Sequence, residues 1–493
     1  MKNLRNARKD GGIHMSNANA AGKLPAKKLI GLIAAVLVIV VSQFMPDNAM
    51  LTATGMKTVG VLIAFLVILV TEALPVVVTS LIFVGLLPLL GVAASAPSMM
   101  GNLKVALSGY SEPIVFFTLA SFGIAAALTN IPLSKRVLRV LLKKFGKDIN
   151  SVLLAIMVCT AVISSIVSNV PTCAIFMAIS LDFLKLYKND DDRKAAGKAF
   201  MIGVPVASMI GGMMTPAGSS INLLAISQLE SLTGQTVTFV QWMLAGIPLT
   251  IFMIPIAWLL IVRIYKPVAV SREDIEEFIG TLSEDIPEKM ESKEKKVIVI
   301  VAVMFTLWIL SSWISQINVM IVAILGCCVM FLPGVNVLEI NTFLRDNSWD
   351  AFFLVGSVIS IANCMISNGV SAAIANAIPA LSVSLPVLIA FTAVLIFVTL
   401  VVIPVASSMI PIMAAPLVAV ATGAGVSPAM ILLTAALCAG NCYLLPLDTV
   451  PLITYSKGYY SMTDMAKSTL WMQIAMVVLC ALWIPLVGMM VGF

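Results

Sequence analysis

Residues 151–184 read SVLLAIMVCTAVISSIVSNVPTCAIFMAISLDFL. The stretch is apolar enough to enter a membrane, but it is interrupted at Ser168-Asn169-Val170-Pro171-Thr172. A spanning helix needs about 20 apolar residues, and the piece from Cys173 onward is too short to cross alone. Charge on either side decides what the run does. Lys135, Arg136, Arg139, Lys143, Lys144 and Lys147 precede it, and Lys185, Lys188, Arg193, Lys194 and Lys198 follow it. A single crossing would put two basic tracts on opposite faces, against the positive-inside rule. A re-entrant hairpin with its tip at Ser168–Thr172 keeps both tracts inside.

The rest of the chain supports this class. Of 493 residues, 60% are hydrophobic and 11% charged, whereas a soluble domain is about a quarter charged. This excludes a soluble enzyme and leaves one membrane-embedded, all-α polytopic bundle. By the logic of interruption, 384–423 is a second hairpin, broken at Ala406–Pro411. With both hairpins set aside, about eleven crossings remain. Starting inside, they place every Lys and Arg on the inner side except Lys57 and Lys104. The excess of basic residues therefore reports topology and is not a nucleic-acid footprint. The N-terminus is expected in the cytoplasm and the C-terminus outside. No cleavable signal is evident, and the first run, from Leu29, reads as a retained helix. Only 265–296 is a long polar stretch after the tail. It reads as a cytoplasmic linker, either with an amphipathic helix or as a plain solvated loop.

Two stretches look alike, SEPIVFFTLASFGIAAALTNIPLS from Ser111 and NSWDAFFLVGSVISIANCMISNGVS from Asn347. Each precedes an interrupted run and then a run broken by Gly and Pro: GGMMTPAGSSINLLA from Gly211, and AGNCYLLPLDTVPLITY from Ala439. The first copy starts outside and the second inside, so they are inverted repeats. Paired, interrupted segments in inverted repeats point to a secondary transporter. Lipid cannot satisfy the backbone groups that a broken helix frees, so such a break persists only where it is buried or lines a cavity.

The segments divide as follows: a cytoplasmic tail (1–28), N-terminal scaffold helices (29–131), and the first hairpin with its broken helix (132–230). Linking helices and a polar linker follow (231–349), then a scaffold helix (350–380), the second hairpin with its broken helix (381–457), and a C-terminal helix (458–493). Ser164 and Ser168 are four apart and would share a helix face. With the Asn169 amide oxygen and the carbonyls of Gly211-Gly212 they could form an oxygen cage for Na⁺, or Ser168 and Asn169 could simply cap the half-helix. Thr172, Thr215, Ser219, Ser220 and Asn222 offer uncharged hydrogen-bond donors for an anion.

These motifs resemble the divalent anion:sodium symporter family, over essentially the whole chain from Leu29. SNVPT at Ser168 resembles the family's first Ser-Asn-Thr signature, with Val170 in place of threonine. TEALP at Thr71, GGMMTPAGSSINLLA, and LPLDTVPLITYSKGYYSMTDMAK from Leu445 are similar to three further family motifs. The resemblance implies an elevator-type transporter, usually a homodimer, with substrate between the two hairpin tips. It implies cation ligands at Ser164, Ser168, Asn169 and Gly211; in the second repeat the residues standing at the matching place, as candidates only, are Ser407, Ser408 and Asp448. It implies substrate contacts at Ser168, Asn169, Val170, Thr172, Thr215, Pro216, Ser407, Ser408 and Thr449.

The chain also departs from the pattern. The second Ser-Asn-Thr is reduced to Ala406-Ser407-Ser408, and the Thr-Pro-Pro-Asn of the last broken helix is Thr449-Val450-Pro451-Leu452. Asp448 precedes it, the only acidic residue between Asp350 and Asp464. An intramembrane carboxylate marks function by default. Three readings of it stand: completing a rebuilt cation site, carrying a proton, or facing a cytoplasmic vestibule or Lys457.

The expected function is secondary active transport of a small divalent organic anion such as succinate, malate or fumarate, coupled to Na⁺, in a bacterial inner membrane. Sulfate or citrate transport, anion exchange and proton coupling on the same fold are the alternatives, and a channel is a remote one. The chain is not expected to be an enzyme or to use an organic cofactor. Its one histidine, His14, lies in the polar tail, and no HExxH, GxSxG or P-loop is present.

Overall fold

The structure, a computed structural model, describes residues 25–492 apart from 49, 94–97, 285, 315, 371–372, 374–382 and 403–405; of 402, 407, 408, 411 and 412 it describes the backbone only. Most of the N-terminal tail, including His14, and the side chains of Ser407 and Ser408 therefore lie outside the described residues. Among the described residues there are twenty-one α-helices, two short 3-10 turns and no strand.

The chain opens with α1 (Ala26–Gln43), α2 (Ala53–Thr71), α3 (Val76–Leu89) and the short α4 (Met99–Ala106). The first repeat follows: α5 (Pro113–Thr129), α6 (Leu133–Phe145), the hairpin α7 (Ile149–Val167) with α8 (Asn169–Leu184), and the broken pair α9 (Asp190–Gly212) and α10 (Ser220–Thr233). Then come α11 (Phe239–Tyr265), α12 (Arg272–Glu284), α13 (Ser292–Leu310), α14 (Val319–Val329) and α15 (Ile340–Asp346). The second repeat holds α16 (Trp349–Ser367), the hairpin α17 (Leu385–Val402) with α18 (Ala406–Gly423), and the broken pair α19 (Pro428–Ala439) and α20 (Thr449–Tyr455). The last helix is α21 (Met462–Val491).

Seven of these helices, α1, α2, α7, α9, α11, α16 and α21, are each long and apolar enough to cross a membrane. Counting each broken pair as one crossing and setting the hairpins aside, α1, α2, α3, α5, α11, α13, α14, α16 and α21 complete the expected eleven. The outer surface is apolar, as lipid requires. On α21, Leu470, Ile474, Val478, Leu482 and Leu486 are all exposed at every fourth position, one helix face turned outward.

The inversion of the repeats is visible in the packing. The loop after the first hairpin runs into the acidic first turn of α9, on the side where Lys198 meets Asp464 at 3.2 Å. The base of the second hairpin instead meets the far end of α10, where Ser427 donates to Gln235. The hairpins thus enter from opposite ends, and the first reaches the broken helix of the second repeat. There Cys173 of α8 approaches the Val450 carbonyl of α20 at 3.6 Å. The hairpins, both broken helices, α11 and α21 pack mainly on one another, whereas α1 packs on α2, α5 on α14, and α3 on α16.

The structure corrects the position of the second break. The interruption expected at Ala406–Pro411 lies inside α18, whose helix already begins at Ala406. The basic tract at 135–147, read only as a topology signal, is a helix of its own. α6 leaves α5 at 58°, with Leu138 and Leu142 buried and its lysines outward. The linker does contain an amphipathic helix, and α12 buries Ile275, Phe278 and Leu282 against the protein, with the Phe278 ring 5.1 Å from Phe183. Trp242 is core: its indole N–H donates to the Met213 carbonyl at 3.0 Å, pairing a group that the α9 break frees.

Arg136 of α6 reaches Glu294 at the start of α13, Nε to Oε1 at 2.6 Å, and Glu294 is 1% exposed. Removing one partner of a buried pair strands the other charge, at a cost of about 3–5 kcal/mol. Arg136→Ala is therefore expected to lower thermal stability in detergent clearly. The double variant Arg136→Met/Glu294→Leu should recover most of the loss, as read by melting temperature.

Candidate functional site

The first hairpin turns on one residue. α7 ends at Val167 and α8 begins at Asn169, leaving Ser168 at φ 87°, ψ 157°. That region is nearly exclusive to glycine and costs of order 1–3 kcal/mol. Its persistence at a serine marks the tip as held by its surroundings. The turn also takes Ser168 off the helical face it was expected to share with Ser164.

Asn169 is 5% exposed, and its side-chain terminus points into a ring of oxygens. One terminal amide atom lies 2.8 Å from Ser164 Oγ, 3.0 Å from the Ser208 carbonyl and 3.3 Å from the Gly218 carbonyl. With the amide nitrogen there, it donates to all three. With the amide oxygen there, it faces two carbonyls that cannot donate, and a cation is what would hold that set together. Ser208 completes the arrangement: its hydroxyl donates to the Asn169 carbonyl at 2.7 Å and lies 3.1 Å from Ser164 Oγ. Every group is a neutral, hard oxygen, a set suited to Na⁺. Among the described residues no cluster of His, Cys, Asp and Glu could hold a metal ion.

The break in α9 is fastened to this tip. Thr215 donates to the Ser165 carbonyl at 2.6 Å and caps the 3-10 turn Pro216–Gly218 by accepting from Gly218 N–H. Asn222 donates to the Gly212 and Thr215 carbonyls at 2.8 and 2.9 Å. The freed backbone groups of the break are thus paired by side chains. Glycine is required at Gly211 because a Cβ there would stand 2.2 Å from the Ala161 carbonyl oxygen. At Gly212 a Cβ would meet the Asn169 amide at 2.1 Å.

In the second repeat Asp448 caps α20. One carboxylate oxygen accepts from Val450 N–H at 3.3 Å and from the Thr449 hydroxyl at 3.2 Å. The other accepts from Ala406 N–H, the first residue of α18, at 3.3 Å. The carboxylate therefore bridges the hairpin and the broken helix. Among the described residues it forms no ion pair, with Lys457 or any other base.

A cavity of about 670 Å³ lies between these elements. Ser168, Asn169, Val170, Ser219, Ser220, Asp448 and Thr449 line it, with Phe122 and Thr129 of α5 and Leu354 of α16 on the opposite wall. Asp346, Ser348 and Asp350 stand on the same lining, at the α15–α16 end. Among the expected substrate contacts, Ser168, Asn169, Val170 and Thr449 line the cavity. Thr215 and Asn222 face the break, Pro216 belongs to the 3-10 turn, and the Thr172 hydroxyl is fully buried without a partner. Gly211 supplies close approach, and its carbonyl accepts from Met214 N–H. The sequence reading missed Ser208, the Gly218 carbonyl, Asp346 and Asp350. Ser208 gave no signal of its own, being a lone serine three residues before Gly211 on an apolar helix.

Comparison with known proteins identifies the family. Residues 26–493 match the family model of the sodium:sulfate symporter transmembrane region. A sodium-dependent dicarboxylate transporter of Staphylococcus saprophyticus is 25% identical over 92% of this chain and 90% of its own. The transporter of the same description from Staphylococcus aureus is 26% identical over 91% and 89%. Among solved structures, the YdaH transporter of Alcanivorax borkumensis is similar with a TM-score of 0.57 at 12% identity, covering 95% of this chain and 99% of that one. MtrF of Neisseria gonorrhoeae is similar with a TM-score of 0.55 at 13% identity, covering 94% and 95%; both likenesses concern the fold alone. The chain is thus an integral membrane transporter and not an enzyme, and it belongs to the sodium:sulfate symporter family.

Proposed function

We propose that the chain is a sodium-coupled secondary active transporter of small carboxylate anions. The observation that carries this reading is the Asn169 amide, ringed by Ser164 Oγ and the carbonyls of Ser208 and Gly218 on the wall of the central cavity. Sodium bound there would fix the hairpin tip, and the same tip presents Ser168 and Asn169 to the substrate. One residue then serves both ligands, so each raises the other's affinity. Uncharged donors suit transport, because an anion held by them can also leave. The sodium-dependent dicarboxylate transporters among the relatives support the coupling ion and make succinate, malate and fumarate the first compounds to test. Sulfate and citrate form the comparison set.

In this reading the hairpins and broken helices (132–230 and 381–457) move as one unit against the scaffold, in an elevator motion. The bent helix α6 joins the two at a 58° corner. The protein works as a homodimer in a bacterial inner membrane, with the N-terminus cytoplasmic and the C-terminus outside. With that orientation, the exposed Asp346 and Asp350 on the cavity lining would face the cytoplasm.

Reconstitution tests the reading. An inward sodium gradient should drive concentrative uptake of a labelled carboxylate into proteoliposomes, and potassium should not replace it. Uptake that ignores sodium but requires a trans anion would replace the symporter with an exchanger.

A further inference from the structure

The two half-helices that border the cavity start on corresponding residues. Ser219 caps α10, its hydroxyl accepting from Ile221 N–H, and Asp448 caps α20, its carboxylate accepting from Val450 N–H. Both caps line the cavity. The repeats therefore differ at this point in chemistry: a hydroxyl caps the first half-helix and a carboxyl group caps the second.

The partners of Asp448 show which kind of position it fills. A cation position gathers oxygens, as the surroundings of Asn169 do. Asp448 instead receives Val450 N–H, Ala406 N–H and the Thr449 hydroxyl, donors at both carboxylate oxygens. Two of these donors belong to its own capping turn and the third comes from the hairpin, so both oxygens are engaged by donors, which suits a negatively charged group here. Asp448 is 8% exposed and forms no ion pair among the described residues. The lining adds Asp346 and Asp350, and its described residues include no Lys, Arg or His. A second substrate carboxylate placed at this end would face these acidic side chains with no base to offset them.

We propose that Asp448 occupies the anion position of the second repeat, so that the bound substrate is a monoanion. Its carboxylate lies against Ser168, Asn169 and Ser219, and a hydrogen-bond donor at its far end points to Asp448. This rests on the cavity being the carboxylate site. A hydroxy monocarboxylate fits, and so does a dicarboxylate that arrives with one carboxyl protonated.

The test compares succinate with 4-hydroxybutyrate, which has the same chain length and a hydroxyl in place of one carboxylate. Binding to the purified full chain in sodium is followed by thermal shift, and uptake is measured in proteoliposomes. At neutral pH, 4-hydroxybutyrate should be preferred by about tenfold or more, since like-charge juxtaposition costs several kcal/mol. Lowering the pH toward the range where succinate takes up its first proton should improve succinate and leave 4-hydroxybutyrate unchanged. Asp448→Asn, or Asp448→Ser should the first variant not fold, should reverse the preference. The wild-type pH series tests the proposal even if neither variant can be purified.

A wild-type preference for succinate that persists in Asp448→Asn overturns the proposal and leaves the transporter reading intact. A sodium requirement that steepens for succinate alone and vanishes in Asp448→Asn places a cation at Asp448 and also overturns it. If no carboxylate binds or is taken up in sodium, the cavity reading fails and this proposal with it.

Discussion

Replacing Asn169 with alanine is expected to abolish sodium-driven uptake while leaving a folded protein. The amide is the one side chain that touches Ser164 Oγ and the carbonyls of Ser208 and Gly218 together, and it also lines the cavity. Its loss removes a cation ligand and a substrate donor at once. Loss even of a residue that merely supports a metal ligand costs about 10–100-fold in affinity, and removal of a ligand should cost at least as much. The carbonyls left without a partner add about 1–3 kcal/mol of destabilisation, which a folded helical bundle of this size should tolerate. Size-exclusion profile and melting temperature check the fold, and labelled uptake checks the function. Asn169→Asp separates the two roles. It keeps an oxygen for the cation and should retain stabilisation by sodium, but its charge should repel the anion.

Gly211→Ala is expected to prevent assembly of the site altogether. The added carbon would stand 2.2 Å from the Ala161 carbonyl oxygen and 2.4 Å from the Ala161 Cα. These are backbone atoms, so no rotamer change relieves the contact, and α7 and α9 must separate. Overpacking of this kind costs about 1–3 kcal/mol where side chains can adjust, and more is expected here. The predicted result is a large loss of monodisperse protein and of transport. Gly85→Ala is the control. No atom lies within 4 Å of its added carbon, and helix propensity favours alanine over glycine by about 0.5–1 kcal/mol. Equal yields for the two variants would show that α7 and α9 are not held as close as described.

How much was legible in the sequence follows the charges. The first hairpin could be read because Lys144 and Lys147 precede it, Lys185 and Lys188 follow it, and only a return path puts them on one side. The second hairpin has no basic residue between Arg345 and Lys457. There the expected break, Ala406–Pro411, fell inside α18, which carries Pro411 within the helix. Asn169 was legible from its place at an interruption. Ser208 was not, because a lone serine inside an apolar helix looks the same whether it packs or binds. Asp448 stood out as a lone acid, yet the sequence left three roles open. The donors around it, from Val450, Ala406 and Thr449, come into view only in the structure. Asp346 and Asp350 carried no signal in the sequence, because their place on the cavity lining depends on how α15 and α16 pack.

The central claim is that a cation and a carboxylate share the tip of the first hairpin. The most direct measurement is the thermal stability of purified wild type and Asn169→Ala, titrated with sodium or potassium in the presence and absence of the preferred carboxylate. The account predicts that sodium raises the melting temperature of the wild type and potassium does not. It also predicts that sodium and carboxylate each strengthen the other's shift by the same factor, and that both effects vanish in Asn169→Ala. Equal shifts with either cation, or a sodium effect that survives in Asn169→Ala, would contradict it.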